Sequence, residues 1–324
     1  LAQNQPDAAK KAYATAREVG SPQLNLDPVN YALATRDFAA AEKALGEEQT
    51  RSFSYFEAEK ALRRASLDVS RGHFDAAAKS AADAGAIARK ASLTAAPERA
   101  ELASIAAALA GGDRKAVAAL GAFIATEAAR LDAAAASFDY SAYTHLSLAA
   151  MLALRNGAPA DAQRALTALA PHAATNGYFS IREPYQAAAC EAGIARDAKE
   201  AVRCLEALMS DDAYYPTHIA LLRAYRAAGD DANALATAHW LVDHRGRAVA
   251  EYLGEFAAQV PNLIAADEAT VDAAELEIKA GHADVAKKLL AGLEAAWSSA
   301  DRDAPLARRM RALDGRSGAE QKKR

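Results

Sequence analysis

Apolar residues along most of this chain recur every three or four positions, the spacing of one face of an α-helix. Short polar breaks containing Gly and Asp interrupt these faces. Residues 218–238, HIALLRAYRAAGDDANALATA, show both features, because one apolar face runs into Gly229 and Asp230 and a second face follows. No stretch alternates apolar and polar residues between turn signals, as a strand would. The pattern therefore predicts an all-α protein.

The break between two helices recurs with a constant internal spacing. A Gly, or an Arg in its place, is followed five residues later by an Ala on the next helix, in copies that begin at Arg36, Gly72, Gly157, Arg196, Gly229 and Gly281. A less regular copy lies around residues 111–113. A left-handed Gly ends one helix, a following Asp caps the next, and the small Ala lets the two helices cross closely. Copies about 33 to 52 residues apart predict stacked helix hairpins, an α-solenoid that forms a curved superhelix.

Helix-start signals mark the other connections. Proline in a first helical turn is expected at Pro28, Pro97, Pro184 and Pro216, and Pro261 precedes a helix that ends near Ala280. About fourteen helices follow from these signals and the breaks.

The domain prediction follows from these helices. We expect a single solenoid over residues 1–314, with about seven helix pairs after one unpaired helix at Pro6–Val19, and a flexible polar tail at 315–324. The unit that contains residues 242–262 is longer than the others, which predicts an added helix or a longer connection there.

Residues 138–244 resemble the tetratricopeptide repeat, a two-helix unit with small residues, a Tyr and a Gly-Asp turn. The matching residues are Leu146, Ala150, Ala153, Gly157 and Ala162, then Tyr185, Ala189, Ala192 and Ala201, then Leu221, Ala224, Tyr225, Gly229, Asp230 and Ala234. Outside this region only the turns match. The resemblance implies a right-handed stack whose first helices line a concave groove. It also implies the residues that face this groove: Met151, Arg155, Glu183, Gln186, Arg223 and Arg226.

Aromatic residues gather at the starts of four predicted first helices: Phe53, Tyr55 and Phe56, then Phe138, Tyr140 and Tyr143, then Tyr178, Phe179 and Tyr185, then Tyr214 and Tyr215. One interpretation is that these rings fill gaps between successive hairpins. The other is that some of them, Tyr185 and Tyr215 among them, line the concave surface and contact a partner. Tyrosine suits that role because it offers apolar area together with a hydroxyl group.

The composition favours helix and restricts the core. Of 324 residues, 92 are Ala, which has the highest helix propensity, so the core must consist of closely packed small side chains. The net charge is −4, whereas a nucleic-acid-binding protein needs a basic stripe. No apolar run approaches the roughly 18 residues that span a bilayer.

The sequence contains no pattern typical of catalysis, of a cofactor or of a metal site. Its seven His residues form no HExxH motif, there is no GxSxG elbow, and Gly111-Gly112 lacks the strand that precedes a phosphate loop. Carboxylate pairs such as Asp211-Asp212 lie at helix starts, where they stabilise the helix dipole. We therefore expect no enzyme activity, no cofactor and no metal.

Cys190 and Cys204 flank one predicted turn. A hairpin that pivots near residue 195 places Cys190 opposite residue 200, which favours two buried packing residues. A disulfide in an oxidising compartment and a metal pair are the alternatives. The chain begins at Leu1-Ala2 without Met, which fits a removed signal peptide or an excised fragment. Bacterial cytoplasm and periplasm both stay open.

Together these features predict a non-catalytic scaffold whose concave face binds a protein or peptide, such as an acidic or C-terminal segment. Arginines on adjacent inner helices favour a carboxylate, because a guanidinium binds it through two parallel hydrogen bonds. Three alternatives are the regulatory arm of a larger bacterial signalling protein, an envelope scaffold for polysaccharide or cell-wall export, and a small-molecule site near Trp240 and Tyr252.

Overall fold

The computed structural model describes residues 5–18, 27–47, 53–133, 140–174 and 176–321. Within these ranges the protein is all-α, as the sequence predicts, with seventeen helices and no strand. The helices are α1 (Pro6–Glu18), α2 (Asp27–Ala34), α3 (Phe38–Glu47), α4 (Ser54–Ser70), α5 (Phe74–Lys90), α6 (Ala96–Gly111), α7 (Lys115–Ala133), α8 (Tyr140–Arg155), α9 (Pro159–Ala173), α10 (Phe179–Ala192), α11 (Ala198–Glu206), α12 (Tyr215–Ala228), α13 (Asp231–Asp243), α14 (Arg245–Ala250), α15 (Gln259–Lys279), α16 (Ala283–Ala296) and α17 (Pro305–Gln321).

Five of the six recurring breaks form the left-handed turn that their residues predict, and the break at Arg196 does not. Gly72, Gly157, Gly229 and Gly281 have φ values between 72° and 85°, and Arg36 has a φ of 57°. These values lie in the left-handed region that ends a helix. The small residues five positions further on, Ala41, Ala77, Ala162, Ala201, Ala234 and Ala286, are at most 2% exposed. The spacing found in the sequence therefore marks real helix crossings.

Neighbouring helices pack in chain order through the middle of the protein. Every helix from α4 to α13 contacts the next one, and α4, α6, α8, α10 and α12 also contact one another in succession. The even-numbered helices thus form a continuous row.

Helix α15 brings the end of the chain back to its beginning. It contacts α4, α6, α12, α13, α14, α16 and α17, while α14 contacts α2 and α17 contacts α6. Most of its residues are buried, because helices cover it on several sides. Helices α15 and α17 therefore pack across the row formed by α4, α6, α8, α10 and α12, in addition to following it in the chain.

Buried polar groups hold this long-range contact. Gln259 of α15 accepts a hydrogen bond from Ser66 Oγ at 3.0 Å and donates one to Asn30 Oδ1 at 3.1 Å. Asp267 of α15 accepts from Arg245 Nη1 and from Arg36 Nη2, each at 2.7 Å. Since an unpaired buried polar group is costly, these bonds fix how α2 and α4 sit on α15.

The helix boundaries correct two predictions. Helix α17 continues to Gln321, so the backbone of residues 315–321 is helical where a flexible tail was expected. Pro184 lies inside α10, beyond its first turn. By contrast, Pro216 does lie in the first turn of α12, and α14 provides the added helix expected within 242–262. Each helix of the described residues is too short or too polar to span a membrane.

Cys190 and Cys204 form a disulfide, with their Cα atoms 5.7 Å apart. The expectation of two unpaired packing residues is therefore wrong. The two cysteines are equally distant in sequence from Asp197, the N-cap of α11, so the hairpin pivots two residues later than predicted. This shift places the two sulfur atoms opposite each other.

Candidate ligand-binding cavity

An open cavity of about 490 Å³ lies among α8, α12, α15 and α17. A second cavity of about 220 Å³ adjoins it and shares four lining residues: Arg155, Arg223, Ala265 and Glu268. We call the two together the inner cavity. Apolar side chains such as Ile219 and Leu222 alternate there with charged ones, so the cavity offers both apolar area and ionic contacts.

One ion-pair cluster in the inner cavity is centred on Glu191 of α10. Arg155 of α8 binds both carboxylate oxygens, with Nε and Nη2 each 3.1 Å away. Arg223 of α12 places its Nε 2.8 Å from the same carboxylate, and 41% of its side chain is exposed. The buried Glu191 thus aligns arginines from two neighbouring helices, and the Arg223 side chain stays partly exposed where it lines the cavity.

A second cluster joins α12, α15 and α17. Glu275 Oε2 lies 2.9 Å from Arg226 Nη2 and 2.7 Å from Arg309 Nη2. Both arginines also contact Asp272 Oδ1. Burial alone would raise the pKa of Glu275, but hydrogen bonds from Arg309 and Arg226 outweigh it and lower the pKa. These four groups form one ion-pair network along one side of the cavity.

Glu268 differs from the other carboxylates of the inner cavity. Its side chain is exposed to the cavity and makes no hydrogen bond or ion pair with any residue that the structure describes. The surrounding protein desolvates it and raises its pKa, to which the charge of Asp272 adds, while Arg155 and Arg223 act in the opposite direction. Glu268 is therefore a polar group available to a ligand.

The structure brings together three of the residues that the tetratricopeptide resemblance assigns to a groove. Arg155, Arg223 and Arg226 all line the inner cavity. Gln186 and Tyr185 are half-buried on α10. Arg155 and Arg223 both contact the carboxylate of Glu191. The spacing of these residues in the sequence could not reveal this contact.

Met151, Tyr215 and Glu183 are the other three residues predicted to contact a partner. All three are buried and pack against neighbouring helices. Met151 is 1% exposed and Tyr215 is 0% exposed, and the Tyr215 hydroxyl donates to the Leu241 carbonyl at 2.8 Å. Glu183, 1% exposed, accepts from the backbone N–H of Tyr214 at 3.2 Å and so caps α12. A partner cannot touch these side chains in this structure, because neighbouring helices cover them.

Sequence analysis missed the carboxylates opposite the arginines. Glu268, Asp272 and Glu275 lie at positions i, i+4 and i+7 of α15, so they share one face of that helix. This acidic stripe was a readable signal in the sequence of α15. Arg309 offered no comparable signal, because nothing local indicates that α17 folds back onto α15.

The sequence left two interpretations of the aromatic side chains at the helix starts: they fill gaps between hairpins, or they are exposed to a partner. Some of these side chains fit the first and others the second. Four stay exposed: Phe53 (64%), Tyr55 (48%), Tyr178 (64%) and Phe179 (37%). Phe179 stacks on Tyr214 with ring centroids 5.5 Å apart. Tyr215, in contrast, fills an internal gap. Phe138 lies outside the described residues.

Trp240 does not offer an open ring for a small molecule. His218 and His244 stack on it with centroid distances of 3.5 Å and 4.2 Å. Glu277 lies 2.7 Å from ring nitrogens of both His239 and His282. Within the described part of the chain, no group of His, Cys, Asp and Glu residues is arranged to hold a metal ion.

Comparison of the chain with protein-family models, with curated proteins and with solved structures gave no match. A functional proposal therefore has to come from the chain's own residues, above all from the charged groups of the inner cavity.

Proposed function

We propose that this protein is a non-catalytic, tetratricopeptide-like scaffold that binds a peptide segment of a partner protein in its inner cavity. The repeat architecture is supported by the left-handed turns, by the buried Ala residues of the helix crossings, and by the even-numbered helices that contact one another in order. In such an array the first helices of successive pairs line one face. Arg155 and Arg223 lie on two of these helices, α8 and α12.

The observation that carries the binding proposal is the partial exposure of Arg223 in the inner cavity. Its Nε lies 2.8 Å from Glu191 while 41% of the side chain stays exposed, and the side chain lines a cavity of about 490 Å³. A guanidinium binds a carboxylate strongly when water is excluded. The carboxylate of a chain terminus or of an acidic side chain therefore fits there, and Ile219 and Leu222 contact the adjoining apolar part.

The charge balance of the cavity explains why a peptide suits it better than a simple anion. Arg226 and Arg309 are already neutralised by Asp272 and Glu275. Glu268 adds a hydrogen-bonding group beside Arg223. A peptide can bind both Arg223 and Glu268, because it carries carboxylate groups for the arginine together with N–H donors for the glutamate.

A library of short peptides with free C-terminal carboxyl groups tests the proposal. We expect selected peptides to bind at least tenfold more weakly when the C-terminus is amidated, and at least tenfold more weakly to Arg223→Ala, since a charged hydrogen bond contributes about 1.5–3 kcal/mol. Arg203→Ala is the matched control, because Arg203 is an exposed arginine that pairs only with Glu200 of its own helix. Failure to select any peptide, or equal affinity for Arg223→Ala, would show that the proposal is wrong.

A second candidate is the envelope scaffold for polysaccharide or cell-wall export. The disulfide between Cys190 and Cys204 favours it, because disulfides persist in oxidising compartments such as the periplasm. Fractionation of cells that produce the full-length protein, with thiol alkylation of each fraction, tests this. A cytoplasmic protein with two alkylated cysteines would exclude the envelope role.

A further inference from the structure

A separate cavity of about 370 Å³ lies where the turn after α2 meets α14, α15 and α16. Its polar lining consists of Thr35, Arg36, Asp243, Arg245, Thr270 and Lys288, and we call it the Arg36 pocket. It shares no lining residue with the larger part of the inner cavity. The peptide-binding proposal does not use it.

Two arginines of the Arg36 pocket share one carboxylate. Arg36 Nη2 and Arg245 Nη1 each lie 2.7 Å from the same oxygen, Asp267 Oδ1. Arg245 is 6% exposed and Asp267 is 0% exposed. The Arg36 side chain is 23% exposed, so one buried and one partly buried guanidinium group share a single buried carboxylate, which leaves an excess of positive charge at this place.

The charged residues at the rim of the Arg36 pocket do not neutralise this excess positive charge. Lys288 is exposed there and forms no ion pair with any described residue, while Asp243 supplies one exposed carboxylate. Three cations therefore face two carboxylates. In addition, Arg36 Nε is buried and has no hydrogen-bond partner among the described residues, so an N–H donor of the pocket is unsatisfied.

The backbone of Arg36 is strained in a way that favours a role for its side chain. Its φ of 57° is a conformation that comparable turns give to Gly72, Gly157 and Gly229. Glycine adopts this conformation without cost, whereas an arginine does not. Strained residues with a functional side chain are common at binding sites. The strain here holds a guanidinium over Asp267 and at the pocket wall.

We propose that the Arg36 pocket binds a small molecule through a phosphate group. The group accepts hydrogen bonds from Arg36 and an ionic contact from Lys288, and it supplies the negative charge that the two arginines lack. Arginine suits phosphate because its planar N–H groups match the phosphate oxygens. Thr35 and Thr270 line the remaining wall and face the rest of the molecule.

Isothermal titration calorimetry with inorganic phosphate and with glycerol 3-phosphate, at constant ionic strength set by chloride, tests this. We expect binding to the wild type, at least tenfold weaker binding to Arg36→Gly, and at least threefold weaker binding to Lys288→Ala. Arg36→Gly keeps the turn, because Gly readily adopts its φ. Lys287→Ala is the matched control, since Lys287 is the adjacent exposed lysine and does not line the pocket.

Three outcomes would overturn the proposal. These are an absence of phosphate binding by the wild type, equal affinity of the wild type and Arg36→Gly, or an equal loss in Lys288→Ala and Lys287→Ala. Tighter binding of citrate than of glycerol 3-phosphate would also overturn it, because the site would then be specific for carboxylates. A peptide bound in the inner cavity leaves all of these results unchanged, so the two proposals fail separately.

Discussion

The guanidinium of Arg36 lies 2.7 Å from the carboxylate of Asp267, although 231 residues separate them in the chain. Arg245 binds the same carboxylate and also donates to Ser70 Oγ at 3.1 Å. This cluster joins the turn after α2, the end of α4, and α14 and α15. Early and late helices of the chain are therefore held together by these charged groups as well as by apolar packing.

We expect Asp267→Asn to lower the free energy of unfolding by about 3–5 kcal/mol, because the buried Arg245 and the partly buried Arg36 lose their shared counter-ion. Urea unfolding followed by circular dichroism measures the change. Glu200→Gln is the control, since its pair with Arg203 is exposed and such changes stay within about 0.5 kcal/mol. A loss below about 1 kcal/mol in Asp267→Asn would contradict a structural role for the cluster.

The disulfide between Cys190 and Cys204 closes a loop with a sequence separation of 14. Crosslinks around loops of this length stabilise proteins by about 3 kcal/mol, because they restrict the unfolded chain. We expect Cys190→Ser with Cys204→Ser to lose about that much in denaturant unfolding, and a reductant to have no effect on the double variant. Detection of two free thiols in the unreduced, denatured wild type would refute the pairing.

Two buried carboxylates at the start of α12 make stability depend on pH. Burial raises the pKa of Glu251 and of Glu183 from 4.5 to about 7. A raised pKa means that the folded state binds the proton more tightly than the unfolded state does. The contribution of each group is therefore fully present below pH 4.5 and is lost as the pH rises through about 7.

We expect the difference in unfolding free energy between the wild type and Glu251→Gln to shift in favour of the wild type as the pH falls from 8 to 5. A shift of this kind is on the order of 2–3 kcal/mol for one buried group. Urea unfolding of both proteins at each pH provides the measurement, and using the difference cancels the groups that do not interact with Glu251. A difference that stays constant across this range would contradict the raised pKa.

Gly229 and Gly292 form a matched pair for a backbone test. Neither has an atom within 4 Å of an added Cβ, but Gly229 has a φ of 75° whereas Gly292 lies inside α16. We expect Gly229→Ala to destabilise the protein by about 1 kcal/mol and Gly292→Ala to stabilise it by about 0.5–1 kcal/mol. Thermal unfolding of the two variants checks the signs. Equal effects would show that the left-handed turn after α12 carries no cost for Ala.

The local structure was readable from the sequence because its causes are local. Gly229 ends α12 and Asp230 caps α13 through the Asn233 N–H at 3.2 Å, both within a few residues of each other. Ala234 marked a helix crossing for the same reason, since the turn fixes where the second helix starts. Arg155, Arg223 and Arg226 were found through repeat positions, which place residues of successive first helices on one face.

Tertiary structure alone decided which of those residues reach a cavity and what they contact. Met151 and Glu183, also taken from repeat positions, and Tyr215, taken from the aromatic residues at a helix start, are covered by neighbouring helices. The partners of Arg226, namely Asp272 and Glu275, come from a helix more than forty residues later.

The sequence by itself therefore determined the helices and most of their turns, because hydrogen bonds, caps and helix propensity act within a few residues. The tertiary structure decided the return of α15 and α17, the pairing of the cavity arginines and the disulfide register. These depend on side chains that are distant in the chain and meet only after folding, where burial and charge pairing across helices determine which contacts persist.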